Sequence, residues 1–144
     1  MADDTAGEPK SADGQVEIIR ILRSARQSAV KARTQAANQL QALLVTAPEN
    51  LRHRLRKLST KNLVHICARF RPGAGAKHVH TAMKFALRSV ARRYQLLSEE
   101  IAQLDEQLDR LVADAAPELT ALPGIGTDHA ATLLSVALKT THSA

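Results

Sequence analysis

The sequence predicts an all-α protein, built as a long antiparallel helical hairpin with short helices at its tip. Three observations predict it. Aromatic residues are nearly absent, only Phe70, Phe85 and Tyr94, while alanine and leucine abound; small side chains suit close helix packing better than a thick globular core. Met83, Leu87, Val90, Tyr94, Leu97, Ile101, Leu104, Leu108 and Leu111 step alternately by four and three residues, the register of a coiled-coil seam. No stretch reads as a strand, and proline and glycine cluster between the periodic segments.

Each element follows in order. Residues 1–14 are polar, with proline and glycine, and read as a disordered tail in which Asp13 is a suitable N-cap for the helix that follows. Residues 15–46 read as one helix whose seam is Ile18, Leu22, Ala25, Ala29, Ala32, Ala36, Gln39 and Leu43, mostly small, with Pro48 marking its end. Residues 49–70 hold two tip helices, the first about 49–58 and the second capped by Ser59-Thr60. Arg71-Pro72-Gly73-Ala74-Gly75-Ala76-Lys77 is a loop. Residues 78–115 carry the strong heptads in a helix of roughly 55 Å, and Pro117 is expected to close it. Residues 15–115 thus form the coiled-coil region.

Residues 116–144 contain Leu122-Pro123-Gly124-Ile125-Gly126, followed by Thr127 and an apolar helical pattern. This pattern reads as part of a helix–hairpin–helix. Pro123 stops a helix, Gly124 and Gly126 allow a tight reversal, and Ile125 plugs it. Backbone N–H groups there and at the next helix start suit a phosphate oxygen. Asp128 opposes that role with its charge, and the alternative is a connector that binds nothing.

Charge is strongly partitioned. Residues 18–94 hold seventeen of the twenty Lys and Arg against a single acid, Glu49, whereas both flanking segments are net acidic. A block this basic is a nucleic-acid surface or one side of an internal charge match. Both are expected. Antiparallel packing sets Arg20, Arg23, Arg26, Lys31 and Arg33 beside Glu99, Glu100, Asp105, Glu106 and Asp109; parallel packing would oppose like charges. The residual positive charge lies at the tip and on the following helix. The candidate nucleic-acid-binding residues are Arg52, Arg54, Arg56, Lys57, Arg88, Arg92 and Arg93, together with Gly124, Ile125, Gly126 and Thr127.

Other chemistry is discounted. His65 and Cys67 are two apart on a helix and face different ways, and His78 and His80 have no matching ligand pair, so no metal site is assigned. Cys67 reads as a small core residue, and as a lone cysteine it fits a reducing cytoplasm. Tyr94 is a seam residue, not a nucleophile. The carboxylates of residues 99–109 read as a solvated face. No run is long and apolar enough for a membrane span.

Four segments in this order resemble a known family: SARQSAVKARTQAANQLQALLVTAPE, LSTKNLVHICARFRP, LRSVARRYQLLSEEIAQLDEQLDRLV and PELTALPGIGTDHAATLL. They are similar to the middle of transposases of the insertion-sequence-110 group, whose nuclease-like domain carries a DEDD set of acids. The likeness covers roughly residues 8–137. It implies DNA recombination with Mg²⁺ at those acids, a structured RNA as guide, a coiled coil for self-association, and a later catalytic serine. Asp3, Asp4 and Asp13 do not match the metal-binding acids, and Ser135 and Ser143 do not match the serine's context. Neither role is carried over, and no cofactor is assigned to this chain. The resemblance therefore implies a truncated transposase, the coiled coil plus the start of the hairpin domain. Its partners would be DNA, structured RNA and other copies of itself, without catalysis of its own. The alternatives are a stand-alone helical dimerisation protein and a small basic nucleic-acid-binding protein.

Overall fold

The computed structural model describes residues 12–73 and 78–120, with side chains over 14–73 and 78–115. The described residues are all helical or in connections, with no strand. Four helices follow in order: α1 (Ala12–Val45), α2 (Glu49–Leu55), α3 (Thr60–Ala68) and α4 (Val79–Thr120). They divide into two compact units. One comprises residues 28–101; the other comprises the segments 12–27 and 102–120 within the described residues.

The 28–101 unit owns a contiguous core. Leu40 and Leu44 of α1, Leu51 and Leu55 of α2, Leu63, Val64 and Cys67 of α3, and Leu87, Val90 and Ala91 of α4 are all buried in one cluster, with Met83 and Tyr94 packed at its edge. Five of these leucines are fully buried, Leu40, Leu51, Leu55, Leu63 and Leu87. Each contributes about 2 kcal/mol through removal of its side chain from water. The connections are tight. Thr46 and Ala47 donate their N–H groups back to Leu43 and Leu44 at 3.1 Å, ending α1. Ser59 caps α3, its hydroxyl accepting from the Asn62 N–H at 3.3 Å, a contact that satisfies a backbone donor with no partner inside the helix. After α3 the chain leaves through Arg71 and Pro72 to Gly73, whose φ of 86° lies in the left-handed region that favours glycine.

The other unit is thinner. Ile19 of α1 and Ala115 of α4 are buried there, and Leu22, Leu104, Leu108, Leu111 and Val112 are half-buried. Arg26 makes an ion pair with Asp105 through Nε, both side chains roughly two-fifths exposed. A cleft of about 300 Å³ is lined by Ile19, Arg23, Arg26, Leu108 and Asp109.

Several sequence expectations are corrected. α1 begins at Ala12, so Asp13 lies within the helix and the segment 12–14 is not a disordered tail; residues 1–11 lie outside the described residues. α2 stops at Leu55 rather than near 58, because Leu58 turns back to bond the Leu55 carbonyl at 3.1 Å. α4 runs to Thr120, past Pro117, which therefore does not close it. Proline costs a helix one backbone donor, and here that loss falls within the final turn. The α1 seam is shifted along one of its two rows. Ala29 and Ala36 are buried and Leu22, Ala32 and Leu43 half-buried as expected, but Ile18, Ala25 and Gln39 are exposed. Their places are taken by Ile19, Arg26 and Leu40, and Arg33 is half-buried beside Ala32. Arginine can occupy such positions because its aliphatic stem packs while its head reaches a polar partner. Every expected α4 seam residue, by contrast, is buried or half-buried.

Candidate nucleic-acid interface

Charge and fold divide along the same line. Residues 28–101 contain fourteen Lys and Arg against three acids, Glu49, Glu99 and Glu100, while the remainder of the chain has six bases against eleven acids. The unit with the compact leucine core therefore carries fourteen of the twenty Lys and Arg, and no acid occurs between Glu49 and Glu99.

The sequence-derived candidates fall into three groups. Arg54, Arg56, Lys57 and Arg93 are exposed and belong to this unit. Arg52, Arg88 and Arg92 are engaged with the fold. Arg52 pairs with Glu49 one turn earlier and donates to the Val45 carbonyl at 3.3 Å, tying α2 to the end of α1. Arg92 donates through Nε to the Ala68 carbonyl at 3.1 Å, and Arg88 donates to the Phe70 carbonyl at 3.4 Å. Both serve carbonyls at and just beyond the end of α3, groups that lack partners inside a helix. The Arg88 guanidinium also lies over the Phe85 ring, 5.0 Å from its centre. Gly124, Ile125, Gly126 and Thr127, with the whole hairpin turn, lie outside the described residues.

Further basic side chains complete the surface. Lys61 and His65 of α3, Arg69 at its C-cap and Arg71 beyond it are exposed. Arg69 Nη1 approaches His65 Nε2 to 3.5 Å. The signal for the α3 row was present in the sequence as a basic residue at every fourth position. Lys84 is placed differently, its ammonium 5.4 Å from the centre of the Phe70 ring. Arg33 donates to the Ser98 hydroxyl at 3.3 Å and lies 5.7 Å from the Tyr94 ring centre, so it serves packing between α1 and α4. Beside the α3 row is an open groove of about 780 Å³, with Lys61, Asn62 and His65 on one wall and Tyr94, Ser98 and Glu99 on the other.

The remaining chemistry-bearing residues have structural places. Cys67 is fully buried, and burial pushes its thiol up to about 11, partly offset by the Arg54 charge. A thiol so held is a core group, since only the thiolate attacks or binds metal. His65, two residues away, is exposed on the other side of α3. Among the described residues no group of three or more His, Cys, Asp or Glu is placed to hold a metal ion, and no helix is long and apolar enough to cross a membrane.

Comparison of the chain with protein-family models, with curated proteins and with solved structures finds no match.

Proposed function

We propose that this chain is the nucleic-acid-binding and self-associating helical part of a transposase-type DNA recombination system, acting in the cytoplasm. The observation that carries the reading is the charge partition: fourteen bases against three acids on one compact unit, with Arg54, Arg56, Lys57 and Arg93 exposed. Such a surface binds phosphates through counterion release and without base reading. DNA is the first partner, and structured RNA the second that the family resemblance implies. Gly124, Ile125, Gly126 and Thr127 add a second backbone contact, and Arg52, Arg88 and Arg92 hold the surface in place while lying at its edge. No cofactor is assigned.

The long helices α1 and α4 pair antiparallel in this reading, as a coiled-coil hairpin. Arg26 beside Asp105 and Arg33 beside Ser98 support that direction, because parallel packing would set basic segments against each other. Self-association between copies goes through the same coiled-coil region.

Fluorescence anisotropy of the purified chain on a labelled 20-base-pair duplex tests the reading. Binding at about 50 mM salt that weakens 10³-fold or more by 200 mM is the expected result for six or more phosphate contacts. Absence of binding at low salt, with dimers seen by sedimentation, would favour the stand-alone dimerisation protein instead. Gly124→Ala with Gly126→Ala measures the share of the turn: unchanged affinity removes it from the interface.

A further inference from the structure

Lys61, His65 and Arg69 recur at every fourth position of α3 and its C-cap, so they share one side of the helix. All three are exposed, while Leu63, Val64 and Cys67 on the other side are buried in the core. The row is about 12 Å long at 1.5 Å per residue. Its mounting is firm at both ends, with Ser59 capping the first turn and Arg92 and Arg88 holding the carbonyls of Ala68 and Phe70. No acid lies on α3 or on the link before it.

We infer that this row is a ridge that tracks the phosphate backbone of a nucleic-acid duplex, with Arg88 and Arg92 as positioning residues that act through α3. The inference rests on the nucleic-acid reading above and names its contact element. A helix anchored by its apolar side presents the Lys61 and Arg69 cations, with the His65 ring between them, on a fixed backbone, so little backbone order is lost on binding. The choice of duplex follows from the aromatics. Single strands are held largely by stacking on exposed rings. Here Phe70 is buried and Tyr94 is half-buried beside Arg33; Phe85 is exposed but carries the Arg88 guanidinium against its ring, so a single partly covered ring is offered where a row of stacking platforms would be needed. Lysine and arginine on phosphates fix position without reading sequence. Glu99, across the groove from Lys61 and His65, repels the same phosphates and sets an upper limit on affinity.

The experiment uses the full chain with labelled 20-base-pair DNA, an RNA duplex of equal length and the corresponding single strands. Lys61→Ala combined with Arg69→Ala should lower duplex affinity roughly 50-fold at 0.1 M salt and reduce the slope of log K against log salt by about two. Both side chains are exposed, and circular dichroism should show the helix content retained. Glu99→Gln should tighten binding severalfold, a gain that misfolding cannot produce. Arg110→Ala, on the other unit and outside the α3 row, should change affinity by less than about twofold, as for an independent site. Binding to either duplex supports the ridge, and the tighter of the two identifies the nucleic acid. If the double variant binds like wild type and Glu99→Gln has no effect, the ridge is overturned while the nucleic-acid reading stands. If wild type binds neither duplex at low salt, both fail. Preference for single strands overturns the duplex assignment. Loss of self-association with duplex binding intact overturns the ridge in favour of an acidic face of a second copy.

Discussion

The 28–101 unit and the 12–27/102–120 unit use the same two long helices in opposite ways. In the first, α1 and α4 contribute leucines to a core completed by α2 and α3, and five leucines are fully buried. Its bases are then free to crowd the outside. In the second, only Ile19 and Ala115 are buried among the described residues, and an arginine–aspartate pair joins α1 to α4. The contrast teaches that a surface dense in like charge needs a strong apolar core beneath it, since self-repulsion works against the compact state. The thinner unit tolerates less and balances its charge locally, with Arg20 on Glu17 and Arg110 on Glu106.

The largest expected effect breaks the core of the basic unit. Leu63→Ala removes a fully buried side chain and should cost about 3 kcal/mol, whereas Leu108→Ala, half-buried in the other unit, should cost about 1–1.5 kcal/mol. Denaturant melts of both variants measure the gap, and equal losses would erase the distinction between the units. Next in size is Arg92→Ala, which strips the Ala68 carbonyl of its guanidinium partner; a loss of about 1 kcal/mol is expected for this part-buried charge-assisted bond, with faster amide exchange confined to α3. Ser59→Ala should cost a similar 1 kcal/mol by removing the α3 cap, and Ser59→Asp should restore it. The smallest effect is Asp105→Asn, at most about 0.5 kcal/mol, because the pair with Arg26 is partly solvated.

Cys67 adds a pH dependence to the basic unit. Its folded-state value near 11 lies above the ordinary 9.0, so the neutral thiol is favoured by folding. The stabilisation is complete below about pH 9 and is lost as pH rises toward 11. Thiol-reactive dyes at pH 8 should label the native chain slowly and the urea-unfolded chain rapidly. Rapid native labelling would contradict the burial of this group.

Much of this was legible in the sequence where apolar residues carried the pattern. The α4 register from Met83 to Leu111 was readable because each seam position is apolar and none competes with it. The α1 register was half readable, since Ala25 drew the seam away from Arg26 and no apolar residue marks position 33. Spacing alone could not show that these arginines find Asp105, Ser98 and Tyr94 across the interface. The basic surface was visible as a charge block, yet its internal division was not. Arg88 and Arg92 look like free cations in sequence; only the fold brings the end of α3 beside them. The α3 row at 61, 65 and 69 was legible but lay in a segment read mainly for its apolar residues.

Hydrogen exchange of the full chain with and without a 20-base-pair duplex tests the central claim most directly. The account predicts slowed exchange over α2, α3 and the first turns of α4, with no change over 12–27 and 102–115. Protection concentrated in those two acidic-unit segments, or no protection anywhere at 50 mM salt, would contradict it.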